Sequence, residues 1–433
     1  MWRIMVEQVY NAFLSCDQKV TTDTRNIAKN DLFFALKGPN FNGNKFAEKA
    51  LELGAKYAVI DEKEYFIEGK TFLVENVLET LQSLARFHRE KINIPVVAIT
   101  GTNGKTTTKE LLGAVLTSQY HILITKGNLN NHIGVPLTIL QLNKEHEIAV
   151  IEMGASKIGD IKELVEIALP NYGIITNIGK AHLEGFGDVE TIKKTKFELY
   201  DFIIENKGAI VVNKEDELLT SYIGKDIDKF TYGSSNADVI GKVVRQTPTL
   251  EMELSIEENA PNMVKTNLLG AYNQNNILAA ACVGKLFKVS KENIEQSIAN
   301  YLPTNNRSQL VTTSKNTVIA DCYNANPTST MESLISFNQI ESSQKLVILG
   351  DMLELGSASE VEHQAIVDYL ENTSLKTILV GTCYQKTNSG FTTFKDTLEL
   401  IPFLKQNCLE NSLVLLKGSR GIKLEMLLKE NIF

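Results

Sequence analysis

The stretch Pro95-Val-Val-Ala-Ile-Thr-Gly-Thr-Asn-Gly-Lys-Thr-Thr-Thr-Lys-Glu-Leu-Leu112 decides how the rest of the chain is read. Its first part is a run of β-branched and apolar residues, the pattern of a buried strand. The run breaks at Gly101 and resumes after Lys105 with helical spacing at Thr107, Leu111, Leu112, Val115 and Leu116. Strand, tight glycine turn and helix together make a phosphate cradle, in which turn N–H groups and the open helix N-terminus face an anion. Gly101 and Gly104 permit the bend and a close approach of backbone to phosphate. Lys105 then neutralises the β- and γ-phosphates, and the Thr106 hydroxyl sits on Mg²⁺. The spacing is G-x-x-G-K-T, since Ile99 occupies the place where the longer form of the motif has its first glycine. Against an ordinary strand–helix turn stands the coincidence of strand context, glycines, lysine and threonine. A nucleoside triphosphate site is the reading.

At 433 residues the chain is too long for one hydrophobic core, and two or three domains are expected. With 43% hydrophobic and 22% charged residues, its composition is that of an ordinary globular protein. The net charge of −8 argues against a general nucleic-acid or membrane surface. Cys16, Cys282, Cys322, Cys383 and Cys408 are scattered, odd in number and without a C-x-x-C pair, so they read as reduced thiols in a cytoplasmic protein. The opening Met1-Trp-Arg-Ile-Met-Val-Glu lacks a signal peptide's long apolar core. No run approaches the about 18 apolar residues of a membrane span. Neither nucleic acid nor membrane insertion is expected, and the chain is expected to be a monomer.

Three α/β units follow from the punctuation. Residues 1–93 hold strands at 31–36, 56–60 and 71–74 and helices at 45–54 and 77–91, with 92–95 as the joint. Residues 94–302 alternate strands at 96–100, 148–153 and 173–176 with helices, which predicts a mostly parallel sheet. Within that unit, residues 238–269 switch to a two-residue period, predicting an antiparallel side-sheet or insertion. The polar linker Leu302-Pro-Thr-Asn-Asn-Arg-Ser308 is the clearest boundary. Residues 303–433, with strands at 317–321, 345–349, 377–380 and 412–416, read as a Rossmann-like domain lacking G-x-G-x-x-G.

Several strand ends carry chemistry. Glu152 closes a strand beside the phosphate loop, where a carboxylate can hold Mg²⁺; taken alone it could be an acid in solvent. His182 lies in the glycine-rich segment 175–187, where a second metal position competes with a structural role. The helix after Asp188 places Lys196 on its apolar face with Ile192, Leu199, Tyr200 and Ile203. Either that lysine snorkels along the surface, or it points into the site with its pKa lowered by desolvation. Asn273 and Asn276 open a helix as simple caps or as partners for an adenine edge. Segments 321–327, 350–356 and 417–420 add polar turns that suggest a cleft between domains.

Taken together these segments resemble the Mur ligases, ATP-dependent amide-forming enzymes of peptidoglycan synthesis, over essentially the whole chain. The motif Gly-Thr-Asn-Gly-Lys-Thr-Thr-Thr (101–108), which folylpolyglutamate synthases share, Asn130-Asn-His-Ile-Gly-Val-Pro-Leu137 and Ala181-His-Leu-Glu-Gly-Phe-Gly187 carry the likeness. Asp321-Cys-Tyr-Asn-Ala-Asn-Pro327, Gly350-Asp-Met-Leu-Glu-Leu-Gly356 and Leu416-Lys-Gly-Ser-Arg420 look like the branch that adds D-alanyl-D-alanine to UDP-N-acetylmuramoyl-tripeptide. A D-N-P-R signature for diaminopimelate is absent, which supports that branch.

The resemblance implies a UDP-substrate domain (1–93), a central P-loop-type ATPase domain (94–302) and a C-terminal domain binding the incoming dipeptide (303–433). It implies ATP and two Mg²⁺ ions as cofactors. Gly101, Thr102, Asn103, Gly104, Lys105, Thr106 and Thr107 would cradle the nucleotide, with Asn273 and Asn276 on the adenine side. Arg307 matches a hinge arginine and Asp321 a ribose- or phosphate-side acid. Thr106, Glu152, His182 and Lys196 would hold metal, and Lys196 matches a lysine that is carbamylated by CO₂. Lys105, Lys196 and His182 would be catalytic. Thr24, Arg25, Gly43 and Asn44 fall in the UDP-recognition region, and Asn324, Lys417 and Arg420 on the dipeptide side. Tyr272 departs from the family, which commonly has histidine there, so no histidine contact to the nucleotide is available at that position. Other Mur-type ligases, a folylpolyglutamate synthase and a non-catalytic ATP-binding switch are the alternative functions.

Overall fold

The computed structural model describes residues 2–224, 227–247, 249–256, 261–304 and 306–433. Asn305 of the expected linker, and residues 248 and 257–260 of the segment with two-residue period, lie outside the described residues. Three sheets organise the chain as a mixed α/β fold.

The first sheet has four parallel strands in the order Val20–Thr21, Leu32–Phe34, Tyr57–Ile60 and Thr71–Leu73. The helix Trp2–Ser15 in front of it was not expected; Val6, Val9 and Phe13, spaced three and four apart, lie on its buried face. The helix Val77–Lys91 starts under Asn76, whose side chain accepts the N–H groups of Leu78 and Glu79. Its far end is tied to the second unit: His88 Nε2 meets the Leu142 carbonyl at 2.8 Å, and Arg89 Nε donates to the Ala168 carbonyl at 3.0 Å. Leu81, Leu84 and Ala85 share one apolar cluster with Ala98, Val135, Ile151 and Leu164. The first two units therefore have a continuous core across residues 92–95.

The central sheet has nine strands, ordered Asn262–Lys265, Glu251–Ser255, Val239–Arg245, Asp228–Gly233, Ala209–Asn213, Tyr172–Ile175, Val96–Thr100, Ile148–Glu152 and Ile122–Ile124. Glu251–Ser255 pairs antiparallel with both of its neighbours, Asn262–Lys265 and Val239–Arg245, and the remaining pairs are parallel. Residues 238–269 do contain the expected antiparallel pairs, but they continue the main sheet instead of forming a side-sheet. Val239–Arg245 joins Asp228–Gly233 in parallel, so main-chain hydrogen bonding runs on into the hairpins. Val96–Thr100 lies in the interior of this sheet, and all five residues are buried. Each fully buried aliphatic side chain there contributes roughly 1.5–3 kcal/mol.

The third sheet runs Gln309–Thr312, Thr317–Asp321, Leu413–Lys417, Lys345–Gly350, Lys376–Val380 and Thr392–Phe394. The first strand is antiparallel and the others are parallel, with helices such as Pro327–Gln339 and Ser359–Glu371 between them. All five cysteines are free. Among the described residues no helix is long and apolar enough to cross a membrane.

Candidate active site

Register in the central sheet brings the chemistry to one edge. Ile99 stands opposite Glu152 and Thr100 opposite Ile175, so both neighbouring strands end where the glycine turn begins. Gly101 has φ +141, and a Cβ on it would fall 2.0 Å from Thr176 Oγ1. Gly104, at φ +80, would put a Cβ 2.5 Å from Asn276 Oδ1. Both positions thus require glycine, by backbone conformation and by space. The helix Lys105–Thr117 begins at Gly104 with no side-chain cap, leaving its first N–H groups open toward an anion.

Lys105 folds back over the turn and donates to the carbonyls of Gly101 (2.7 Å) and Thr102 (3.0 Å). Burial brings its pKa down to about 8; Glu152 opposes this and Arg307 adds to it. Thr106 Oγ1 donates to Glu152 Oε1 at 3.2 Å, and Asn130 Nδ2 donates to the same oxygen at 2.8 Å. Glu152 Oε2 is buried without a hydrogen bond. A hydroxyl beside a carboxylate with an unused oxygen is a donor set that suits Mg²⁺, which prefers hard oxygen ligands. On that observation the residues fit the cation.

A cavity of about 1070 Å³ opens above this floor, above the usual range for a small-ligand pocket. Of the sequence-predicted residues, Thr102, Asn103, Gly104, Lys105, Thr106, Thr107, Glu152, His182, Asn273, Asn276, Arg307, Asp321, Asn324 and Lys417 line it. Gly101, Lys196 and Arg420 do not, nor do Thr24, Arg25, Gly43 and Asn44 of the first unit.

Several expectations change in detail. Asn273 and Asn276, read as caps or as partners for an adenine edge, have polar atoms engaged within the fold. Asn273 Nδ2 donates to the Leu269 carbonyl (2.7 Å), Asn276 Nδ2 to Asn273 Oδ1 (2.8 Å), and Thr108 Oγ1 to Asn276 Oδ1 (3.0 Å). They brace the phosphate loop. Asp321, expected near ribose or phosphate, takes the Ser308 N–H (3.2 Å), the Ser333 hydroxyl (2.8 Å) and the Lys417 ammonium (2.9 Å). Parallel register sets Asp321 opposite Lys417, so these two cavity-lining residues form an ion pair in which Lys417 is buried and Asp321 half-buried. Arg307 stacks on Tyr323 at 3.9 Å, and Arg420 approaches the same ring at 5.6 Å. Tyr272 shares a hydrogen bond of 2.8 Å with Ser308.

His182 has φ +51, and its Nδ1 contacts the Glu354 carboxylate of the C-terminal unit. His182 and Glu152 both line the cavity. Lys196 is 3% exposed, and its ammonium has no hydrogen bond or ion pair among the described residues. Its nitrogen lies 5.7 Å from the Phe186 ring. Burial, reinforced by the charge of Lys105, pushes its pKa well below the lysine range. In the first unit, Arg25 is exposed and pairs with Asp23 at 2.7 Å. Asn44 is buried and clamps Asp61 through its amide, donating to Oδ1 at 2.8 Å.

Sequence reasoning gave no role to Lys109, Asn130, Asn177, Asn326 or Glu354. Lys109 approaches Glu152 Oε2 at 3.7 Å with both side chains buried. Asn177 Oδ1 accepts the Asn103 N–H at 3.0 Å, and Asn326 Nδ2 donates to Asn103 Oδ1 at 2.7 Å. One available signal was helical spacing, which sets Lys109 three residues after Thr106 on the same face. The partners across units are set by tertiary contact.

Asp351, His363 and Cys383 bring three possible metal-ligand atoms within 4.8 Å. The imidazole and the carboxylate already accept main-chain hydrogen bonds. His363 Nε2 accepts the Met352 N–H (3.0 Å), and Asp351 takes the N–H groups of Cys383 (2.9 Å) and Tyr384 (3.0 Å). The cluster braces the loop that carries Glu354.

Fold and cavity define a phosphate-loop nucleotide enzyme whose site is assembled from several modules of one chain. Family models match three successive stretches: the Mur ligase family catalytic domain matches residues 18–97, the Mur ligase middle domain 99–284 and the Mur ligase glutamate ligase domain 306–420. A UDP-N-acetylmuramoyl-tripeptide–D-alanyl-D-alanine ligase of Bacillus subtilis is 31% identical, covering 95% of this chain and 93% of the relative. The crystal structure of MurF from Acinetobacter baumannii superposes with a TM-score of 0.86 at 29% identity, covering 96% and 93% of the two chains. MurF ligase from Thermotoga maritima, solved in complex with ADP, gives a TM-score of 0.86 at 27% identity, with coverage of 96% and 97%. The chain belongs to the Mur ligase family.

Proposed function

We propose that this chain is an ATP-dependent ligase that joins D-alanyl-D-alanine to UDP-N-acetylmuramoyl-tripeptide in peptidoglycan precursor synthesis. One observation carries the reading: the phosphate loop and Glu152 line one cavity together with residues of the C-terminal unit, Arg307, Asp321 and Lys417 among them. A phosphorylated intermediate formed at the loop is thereby presented to an acceptor held by the C-terminal unit, with bulk water kept back.

The loop N–H groups and Lys105 bind the ATP phosphates, and the tripeptide's terminal carboxylate attacks the γ-phosphorus in line. The P–O bond to ADP breaks and an acyl phosphate forms. The dipeptide's amine then attacks the carbonyl carbon; the new C–N bond expels phosphate, and the amine gives up its proton. Thr106 and Glu152 would hold Mg²⁺, which when bound neutralises charge on the transferring phosphoryl group. His182 and Lys196 would serve a second cation. The neutral Lys196 amine can add to CO₂, forming an N–C bond and releasing one proton, which turns a poor metal neighbour into an oxygen ligand.

Leu78, from the first unit, also lines the cavity, so a single chain supplies every wall and a monomer suffices. The exposed turn Thr24–Asn26 and the Gly43–Asn44 corner belong with the UDP group, and Asn324 and Arg420 with the dipeptide. The need for ATP agrees with a cytoplasmic site of action. The test is a coupled ADP-release assay with UDP-N-acetylmuramoyl-tripeptides containing lysine or diaminopimelate. ADP release that requires D-alanyl-D-alanine supports the assignment; release driven by folate and glutamate instead overturns it.

A further inference from the structure

We propose that Lys109 is a built-in counter-charge for Glu152, so that the divalent cation enters this site together with the nucleotide and not ahead of it. The inference rests on the reading that Thr106 and Glu152 hold a cation. Lys109 and Glu152 are 3% and 2% exposed, and the ammonium approaches Oε2 at 3.7 Å. At that distance there is charge pairing without a hydrogen bond, so the oxygen keeps its lone pairs while its charge is cancelled. Lys109 itself makes no hydrogen bond among the described residues.

The surroundings supply little charge to replace what Lys109 removes. The described residues bring no group of three acidic, histidine or cysteine ligands together around Glu152; the one such group is Asp351, His363 and Cys383. Glu152's other contacts, Thr106 Oγ1 and Asn130 Nδ2, are neutral. Cation affinity at oxygen sites is tuned by the number of charged ligands. One carboxylate, already neutralised and with Lys105 close by, makes a poor site for a free divalent ion. A nucleotide's phosphates add several negative charges at the loop, and the balance then favours the cation. Lys109 acts through Glu152 and is therefore a positioning residue.

Mn²⁺ binding followed by electron paramagnetic resonance tests this, with and without ADP. Nucleotide-free wild type is expected to bind Mn²⁺ weakly. Lys109→Met and Lys109→Gln should bind free Mn²⁺ at least about tenfold more tightly, the scale expected for removing a unit charge a few ångströms from a divalent ion even at high dielectric. Lys109→Arg should restore the weak binding, a recovery that loss of packing does not predict. Folded Met and Gln variants with wild-type affinity would overturn the proposal. So would nucleotide-free wild type binding Mn²⁺ as tightly as it does with ADP, whatever the variants do. If Glu152→Gln leaves ADP-dependent Mn²⁺ binding unchanged, the cation site itself is misplaced and the inference falls with it.

Discussion

Asn326 Nδ2 donates to Asn103 Oδ1 at 2.7 Å, so a residue at the mouth of the C-terminal unit's first helix holds the middle of the phosphate loop. On its other side Asn103 is held through its N–H by Asn177. Position of the C-terminal unit and order in the loop are thus linked, and by reciprocity nucleotide binding and closure favour each other. Asn326→Ala removes a contact worth about 1 kcal/mol, and the KM for ATP should rise about fivefold. Scattering from the nucleotide-free variant should show a larger radius of gyration. An unchanged KM and an unchanged radius would separate loop from closure.

The loop glycines give a second prediction. Gly104→Ala adds a methyl 2.5 Å from Asn276 Oδ1 at φ +80 and should weaken ATP binding more than tenfold, as measured by calorimetry. Adding Asn276→Ala relieves the collision but not the backbone strain, so the double variant should recover part of the loss. Full recovery would show that φ is unimportant there.

Lys196 gives the third. Lys196→Ala should lose at least about a hundredfold in turnover, a loss attributable to charge placed for the phosphoryl transfer, and bicarbonate should not restore it. Lys196→Met keeps the apolar stem and should match wild type in melting temperature while remaining inactive. Turnover at the wild-type rate in either variant removes the carbamate from the mechanism.

Stability should fall in mild acid. Burial lowers the pKa of His88, with the Leu142 carbonyl opposing, and burial likewise lowers that of His363. In the unfolded chain each imidazole takes up its proton near its ordinary value of about 6.5, whereas the folded state resists it. The unfolded state therefore binds more protons, and stability present above about pH 6.5 is lost as pH falls from there toward the lowered folded values. Melting temperature measured from about pH 7.5 down to about pH 5.5 should decline, and His88→Gln should flatten the decline. Parallel curves would assign the acid sensitivity elsewhere.

What the sequence revealed and what it hid have a common physical cause. Gly101, Lys105 and Glu152 were legible because a parallel sheet sends every strand's carboxyl end to one edge, so local pattern is enough to place them. Lys196 was legible as a cation on an apolar helix face. The other half of the site depends on which surfaces meet. Asn273 and Asn276 read equally as caps or ligands until the neighbouring helix supplies Thr108. Asp321 and Lys417 lie far apart in sequence and become a pair through strand order. His182 turns to Glu354 because the loop braced by Asp351 delivers that carboxylate. The continuation of the central sheet through Val239–Arg245, Glu251–Ser255 and Asn262–Lys265 was hidden for the same reason, since a two-residue period specifies a strand but not its neighbour.

Oxygen tracing tests the acyl-phosphate route most directly. With heavy oxygen in the tripeptide's terminal carboxylate, one complete ligation should leave a labelled oxygen in the inorganic phosphate released, in step with ADP. Label absent from phosphate, or found instead in AMP, would contradict transfer of the γ-phosphoryl group to the carboxylate.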